Sequence, residues 1–159
     1  MEPSSHGRAD PSVTPDALMD TLAQVSFAFT AELSKVGSRS DLSLTQLRAL
    51  AILHDRRLRM SELADYLGLE KSTMSGLIDR AEKRGLVQRA PGDGDRRAVD
   101  VFLTPEGTAL ADRLRGEVRA WFRGLTQGLS ASDERRLQEL LGVLLGASGS
   151  APPVPAVDR

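Results

Sequence analysis

The chain has 159 residues, 40% of them hydrophobic, and a formal net charge of −1. This length fits one domain with short extensions, and the apolar fraction suffices for a hydrophobic core. The absence of cysteine excludes disulfides, thiolate metal sites and thiol-based redox sensing. With only two histidines, we expect neither a metal site nor another cofactor.

The two ends of the chain differ in composition from its middle. Residues 1–14 and 147–159 are rich in small residues and proline, which predicts a disordered tail at each end. The N-terminus lacks a signal-peptide pattern, and no apolar run reaches the roughly 20 residues that a membrane span requires. We therefore expect a soluble, cytoplasmic protein without a membrane partner.

Two helices are predicted before residue 56. The first covers about residues 15–36, where apolar residues recur at helical spacing, and Gly37 is expected to end it. The second begins at Ser43, which forms a capping box with Gln46, and ends near residues 54–55. We assign residues 15–42 to a dimerisation helix and its following loop.

The next two helices have the spacing of a helix-turn-helix. Ser61 is predicted to cap a short third helix, which a tight turn at residues 68–69 ends. The fourth helix covers about residues 71–84. Two helices joined by a short, glycine-containing turn are typical of helix-turn-helix motifs.

A β-hairpin is predicted after the fourth helix. Residues 86–89 form its first strand, and residues 95–103 continue from a Gly/Asp turn as its second. Alternation in the second strand places Val99 and Val101 on one face and Asp100 on the other. With the preceding helices, the hairpin predicts a winged helix-turn-helix over residues 43–103.

The charge near the hairpin tip is consistent with DNA binding. Arg96 and Arg97 lie near the tip, where arginine suits insertion into a narrow, electronegative minor groove. Residues 56–97 contain ten Lys and Arg against seven Asp and Glu, a local charge of +3. A solvated hairpin with surface arginines is the alternative interpretation.

Two leucine-rich helices follow over residues 104–146. Thr104 with Pro105 predicts the start of the first, and Ser130 predicts the start of the second. Few monomers tolerate a long exposed leucine stripe, so the first, fifth and sixth helices are predicted to form a two-fold dimer. The expected fold is mainly α with a small β-hairpin wing, a winged helix-turn-helix flanked by dimerisation helices. A monomeric helical core is the alternative.

The start of the fourth helix and the hairpin tip supply the candidate DNA contacts. In a helix-turn-helix, the first residues of the second helix meet base edges. Ser and Thr hydroxyls can donate or accept there, while Lys and Arg bind phosphates. Each basic residue could instead belong to a solvated surface. The candidates are Lys71, Ser72, Thr73, Ser75, Gly76, Arg80, Arg96 and Arg97.

Three stretches together resemble the MarR family of transcriptional regulators. They are residues 44–50, residues 61–87, and the wing pattern Asp95-x-Arg97 followed by Leu103-Thr104-x-x-Gly107. The resemblance implies a homodimer of triangular outline. It also implies that Arg97 enters the minor groove, and that Asp95 and Asp79 support the wing.

The resemblance further implies how such a protein is used. Family members usually repress nearby genes and release a pseudo-palindromic operator in double-stranded DNA when a small, often aromatic or anionic, ligand binds. That ligand usually lies between the dimerisation helices and the winged lobe. A plain core or surface role is the alternative for each residue near that junction. The candidates are Phe27, Thr30, Arg48, His54 and Trp121.

The sequence gives weaker support to two other function classes, a protein-interaction module and an enzyme. A winged helix can serve as a protein-interaction module without sequence-specific DNA binding, because fold does not fix function. An enzyme would need a phosphate-binding loop, a nucleophile motif or metal-ligand spacing, and the sequence has none of these. His54 beside Asp55 is the only acid–base pairing to consider, and adjacent residues at a helix end rarely make a catalytic pair. We therefore expect no enzymatic activity.

Overall fold

A computed structural model describes residues 14–92 and 95–148, without the side chains of residues 95–97, 147 and 148. This part of the chain contains six α-helices and a three-stranded antiparallel sheet, which confirms the predicted fold class. Most of both predicted tails lies outside the described residues. The elements are α1 (Pro15–Ser38), α2 (Leu44–Leu53), β1 (Leu58–Arg59), α3 (Met60–Leu67), α4 (Lys71–Lys83), β2 (Val87–Gly92), β3 (Asp95–Leu103), α5 (Pro105–Thr126) and α6 (Ala131–Ser148).

Side-chain caps set the start of two helices as expected from the sequence. Before α2, Ser43 Oγ accepts from the Gln46 N–H at 3.2 Å, and Gln46 Oε1 accepts from the Ser43 N–H at 2.9 Å. Before α5, Thr104 Oγ1 accepts from the Gly107 N–H at 2.9 Å. Each bond satisfies a backbone donor that has no partner inside the helix, which confirms both predicted caps.

The predicted end of α1 was wrong. Gly37 lies inside the helix, which continues to Ser38 and has Arg39 as its C-cap. Gly37 is buried, and a Cβ on it would lie 2.9 Å from the carbonyl oxygen of Leu42. This glycine therefore permits the close return of the chain after α1 rather than ending the helix.

The predicted cap of α3 was also wrong. The N-cap is Arg59, whose backbone N–H donates to Glu62 Oε2 at 2.8 Å, and Ser61 lies within the first turn. The Glu62 carboxylate thus satisfies the N–H of the N-cap residue, which is the second bond of a capping box. At the other end Gly68 adopts a φ of 65°, which confirms the glycine turn of the helix-turn-helix.

The sheet contains a strand that the sequence did not reveal. The strand order is β1-β3-β2, and β1 pairs Leu58 with Val101 and Arg59 with Asp100. Two residues are too short for an alternating pattern, so β1 has no sequence signature. The partner strand β2 extends to Gly92, three residues beyond the prediction.

The residues of β3 are buried to different extents. Val101 is fully buried, but Val99 on the same face is 40% exposed because it lies beyond the core, towards the hairpin tip. Asp100, which the alternation places on the opposite face, is only 7% exposed. Its Oδ2 accepts from Arg57 Nε at 2.9 Å, and this pairing stabilises the buried charge.

The hydrophobic core lies in the winged lobe, which we define as α2 to β3. The ends of α1 and α5 that abut this lobe add Val36, Ala111 and Leu114 to the core, and no described residue of α6 is buried. The largest fully buried side chains are Leu53, Leu63, Met74, Ile78, Val36, Val87 and Val101.

The helices outside the lobe expose large apolar side chains, which we call the flanking apolar surface. In the described part of the chain, no helix is long and apolar enough to cross a membrane. The flanking apolar surface consists of Leu18, Met19, Leu22, Val25 and Phe27 of α1, Phe122 and Leu125 of α5, Leu129, and Leu137, Leu140, Leu141, Val143, Leu144 and Leu145 of α6.

Candidate nucleic-acid interface

One face of α4 anchors it in the lobe and the opposite face is open to solvent. The anchoring residues Met74, Leu77, Ile78 and Ala81 are buried at helical spacing. The helix begins after Glu70, whose backbone is extended and whose carboxylate makes no capping bond. The start of α4 therefore leaves backbone N–H groups available to an external acceptor such as a phosphate.

The exposed face of α4 carries all the candidate contacts predicted on this helix. Gly76 is half-buried, and a Cβ there would meet only the Arg80 guanidinium, 3.8 Å away. Within residues 14–92 and 95–148, the side chains of the other five make no hydrogen bond or ion pair. This face therefore presents hydroxyl and cationic groups without internal partners. The five exposed residues are Lys71, Ser72, Thr73, Ser75 and Arg80.

Arg89 of β2 joins the hairpin to α4. Its Nη2 donates to Asp79 Oδ1 at 2.6 Å and to the Ser75 carbonyl oxygen at 3.2 Å. Its Nη1 donates to Glu82 Oε2 at 2.8 Å. Charge-assisted bonds of this kind restrain both partners, so Arg89 holds the first wing strand against α4, the second helix of the helix-turn-helix, which we call the recognition helix.

Arg89 was not among the predicted site residues. The family resemblance implied that Asp79 supports the wing, and in the structure Asp79 pairs with this arginine of β2. Ten residues and a turn separate the two, so no helical or strand spacing signals the pair. The supporting role of Asp79 in DNA binding stays a prediction.

The hairpin tip carries the remaining predicted DNA contacts. Asp95, Arg96 and Arg97 begin β3, which pairs with β2 from Gly92 onwards. Their side chains lie outside the described residues, so their roles also stay predictions.

Arg57 joins the base of the wing to the chain before β1. Besides its bond to Asp100, its Nη2 donates to the Pro91 carbonyl oxygen at 3.4 Å. Its guanidinium lies 4.9 Å from the ring centroid of Phe102, within cation–π distance. Sequence reasoning missed this residue because its contacts depend on the undetected pairing of β1 with β3.

His54 joins the winged lobe to α5. Its Nε2 lies 2.6 Å from Asp112 Oδ1, so its partner is on α5 and is not the neighbouring Asp55. Asp55 instead accepts from Arg56 Nε at 3.0 Å, and this bond lowers the pKa of Asp55. The Nδ1 atom of His54 is buried and has no hydrogen-bond partner in the part of the chain that is described.

The candidate ligand residues do not all share one face. Trp121 of α5 packs edge-to-face on Phe29 of α1, with ring centroids 5.6 Å apart. Phe27 is 72% exposed and lies two residues from Phe29, about 200° around the helix. Thr30 and Arg48 are exposed. Trp121 therefore meets α1 through a residue that was not predicted for the pocket.

The described residues were also compared with the requirements of a metal site. Residues 14–92 and 95–148 contain no cluster of three or more His, Asp or Glu side chains that could hold a metal ion.

Comparison with known proteins places this geometry in a family. A family model described as the MarR family matches residues 40–98. The transcriptional regulator PecS of Dickeya dadantii is 34% identical over 139 residues, covering 85% of this chain and 84% of PecS. The homoprotocatechuate degradative operon repressor of Escherichia coli is 26% identical, covering 85% of this chain and 92% of that repressor.

A solved structure agrees with the sequence comparisons. A mutant MarR from E. coli complexed with operator DNA matches with a TM-score of 0.65 and 26% identity, covering 81% of this chain and 94% of MarR. Because similarity extends over most of the length of each relative, it is not confined to the helix-turn-helix. The alternative of a winged helix that only binds proteins is not favoured. The chain belongs to the MarR family and is a DNA-binding transcriptional regulator.

Proposed function

We propose that the protein is a homodimeric repressor that binds a pseudo-palindromic operator and releases it when a small ligand binds. The observation that carries the proposal is the exposed face of α4, where hydroxyl and cationic groups have no partner in the described part of the chain and lie beside a wing held by Arg89. DNA supplies the acceptors and donors that these groups lack.

Each candidate contact has a distinct task in this proposal. Ser72, Thr73 and Ser75 meet base edges in the major groove, and the absent side chain of Gly76 leaves room for the bases. Lys71, Arg80 and Arg96 bind phosphates and supply the salt-dependent part of the affinity. Arg97 enters the minor groove. Asp79 and Asp95 hold the wing and make no direct contact with the acidic backbone.

The flanking apolar surface supports the dimer. Its residues lie on α1, α5 and α6, which together carry fourteen exposed large apolar side chains counting Leu129. A second copy of the same surface would cover them, as isologous two-fold interfaces do. Two winged lobes would then face the same side of the DNA, about one helical turn apart, roughly 10 bp.

We infer that the ligand is aromatic or anionic and binds between the winged lobe and the dimerisation helices. One relative represses an operon for homoprotocatechuate degradation, and that compound is an aromatic carboxylate. Among the described residues, Arg48 is an exposed cation without a partner, and the buried Nδ1 of His54 has no hydrogen-bond partner. Both could bind a carboxylate or hydroxyl group, with Phe27, Thr30 and Trp121 as further candidates.

We also propose that the protein is not an enzyme and acts in the cytoplasm. Its relatives are transcriptional regulators, and the acid–base pair of His54 and Asp112 joins two structural elements. Neither proposal requires a cofactor.

The test is fluorescence anisotropy with duplex DNA from beside the gene and a scrambled duplex, at several salt concentrations. The native duplex should bind more tightly. Arg97→Ala should lower affinity about tenfold and reduce the slope of log K against log salt by about one. The control is Arg119→Ala, which removes an exposed arginine from α5 outside the winged lobe.

The outcomes separate the parts of the proposal. Equal binding of both duplexes would contradict sequence-specific recognition. An unchanged affinity for Arg97→Ala would contradict the wing assignment alone. Once binding is established, release by homoprotocatechuate or a related aromatic acid tests the ligand in the same assay.

A further inference from the structure

The turn between α1 and α2 has an unusual backbone. Asp41 adopts a φ of 52°, in the left-handed region that residues with a side chain rarely occupy. The chain returns sharply here, since the Ser40 and Leu42 N–H groups both donate to the Gly37 carbonyl oxygen, at 2.9 and 3.0 Å. Such a conformation persists only where surrounding contacts hold it.

Arg84, the residue that follows the recognition helix, provides one of these contacts. It is the C-cap of α4. Its Nη1 donates to the Asp41 carbonyl oxygen at 2.7 Å, and its Nη2 donates to the Ser40 carbonyl oxygen at 2.8 Å. The planar guanidinium thus donates to two successive carbonyl groups at once, whereas the compact ammonium group of a lysine lacks this forked geometry.

The same turn is held from the other side by α5. Arg113 Nη2 donates to Ser40 Oγ at 3.1 Å. Arg39, the C-cap of α1, pairs with Glu117 of α5, with Nη1 and Oε2 3.3 Å apart. The turn therefore lies between the end of the recognition helix and the two helices that carry much of the flanking apolar surface.

We propose that Arg84 is a positioning residue for DNA recognition, which fixes the direction of α4 relative to α1 and α5 through the α1–α2 turn. This inference rests on the proposed homodimer. In a two-fold dimer, the direction of each recognition helix relative to the dimerisation helices sets the separation of the two helices. Arg84 thereby determines which half-site spacing the protein accepts, without contacting DNA.

The neighbouring Lys83 gives a matched control. It lies at the same end of α4, is exposed, and makes no hydrogen bond or ion pair with the described residues. Lys83→Ala and Arg84→Ala each remove one positive charge from the same place. A loss of spacing selectivity common to both variants reports the charge. A loss confined to Arg84→Ala reports the two hydrogen bonds to the turn.

The first experiment measures affinity for duplexes whose half-sites are moved together or apart by one or two base pairs. The unchanged protein and Lys83→Ala should lose about tenfold or more in affinity when the spacing changes, while Arg84→Ala should lose only about threefold or less. Arg84→Lys should recover part of the selectivity, because an ammonium can reach one of the two carbonyl groups. Melting temperatures of all variants show whether the fold is kept.

The second experiment needs no DNA. The chain has no cysteine, so Ser72→Cys provides a single spin-label position on α4. Electron–electron double resonance in the dimer should give a narrow distribution of distances between the two labels in the Ser72→Cys background. Adding Arg84→Ala should broaden that distance, and adding Lys83→Ala should not.

The outcomes are distinct from those for the proposed function. A spacing profile and label distance unchanged by Arg84→Ala would overturn the positioning role and leave the repressor proposal intact. Equal losses for both variants, with a smaller salt slope, would make Arg84 a phosphate contact and also overturn it. If the unchanged protein bound no duplex, the proposed function would fail, and the label distances alone would decide the role of Arg84.

Discussion

The winged lobe and the helices that flank it use similar residues in opposite ways. In the lobe, Leu63, Met74 and Ile78 are fully buried by α2, α3, α4 and the sheet. In α6, Leu140 and Leu144 follow the same helical spacing and each is 48% exposed. The difference is one of partners, because the elements of the lobe pack on one another, whereas α6 meets no comparable surface among residues 14–92 and 95–148.

The two regions therefore differ in whether one molecule can bury their apolar side chains. The lobe buries its core within a single copy. The flanking apolar surface requires a second molecule, since exposed apolar patches of this extent mark interaction sites. The stability of the flanking helices should therefore depend on protein concentration, whereas that of the lobe should not.

The largest effects are expected from substitutions that disrupt either the core of the lobe or the flanking apolar surface. Met74→Ala should destabilise the lobe by about 2–5 kcal/mol at every protein concentration, because it leaves a cavity in the core. The double substitution Leu140→Glu with Leu144→Glu should convert the dimer to a monomer and spare the core of the lobe. Denaturant unfolding and sedimentation velocity, each at several concentrations, measure the two effects.

Gln138→Glu is the control for the double substitution. It adds a negative charge to the same helix at an exposed polar position. It should leave the dimer intact. A dimer that survives both leucine substitutions would show that α6 is not part of the interface.

Two glycines of α5 differ in the space around them. A Cβ on Gly107 would lie 1.9 Å from the Leu86 carbonyl oxygen, whereas a Cβ on Gly116 would meet nothing within 4 Å. Gly107→Ala should therefore destabilise by at least about 1–3 kcal/mol. Gly116→Ala should stabilise by about 0.5–1 kcal/mol through the lower entropy of the unfolded chain.

Thermal unfolding of the two variants measures whether their stabilities change in opposite directions. They carry the same substitution in the same helix, so each serves as the control for the other. A destabilising or dimer-breaking effect of Gly116→Ala would indicate that the partner already packs closely on this turn of α5.

The smallest effect concerns the start of α6. Ser130 donates through Oγ to Asp133 Oδ2 at 2.6 Å, and this bond lowers the pKa of Asp133 below 3.8. A lowered pKa in the folded state means that its stabilising contribution is present above pH 3.8 and is lost as the pH falls through the folded-state value. The cap is local, so it should form whether or not a second copy is bound.

NMR titration of the carboxylate carbon at residue 133 measures this pKa. Ser130→Ala should raise it towards 3.8 in both the dimer and the Leu140→Glu, Leu144→Glu monomer. A shift seen in the dimer alone would make the cap dependent on the partner and weaken the distinction between local and intermolecular contacts.

Sequence patterns were reliable where a contact spans a few residues. The caps at Ser43 and Thr104 and the turn at Gly68 were predicted because each depends on partners within four residues. The same reasoning failed at Gly37 and Ser61, where a returning chain or a nearby carboxylate set the helix boundary. At both positions a second contact outweighed the usual preference of the residue.

Contacts between distant residues were decided by the tertiary structure alone. The strand β1 exists because β3 supplies its hydrogen-bonding partner, and Asp100 is buried because Arg57, 43 residues earlier, neutralises it. Likewise, His54 reaches Asp112, 58 residues away, rather than its neighbour Asp55. No periodicity encodes such pairs, because their members lie far apart in the sequence and meet only in the folded chain.

Local patterns were therefore enough to predict the helices, the hairpin and the face of α4 that presents hydroxyl and cationic groups. Their spacing and caps depend on local backbone geometry. Two connections follow instead from the three-dimensional arrangement: Arg89 holds the wing, and Arg84 joins α4 to the dimerisation helices. These bonds require precise placement of separate elements, and that placement follows from packing of the whole lobe.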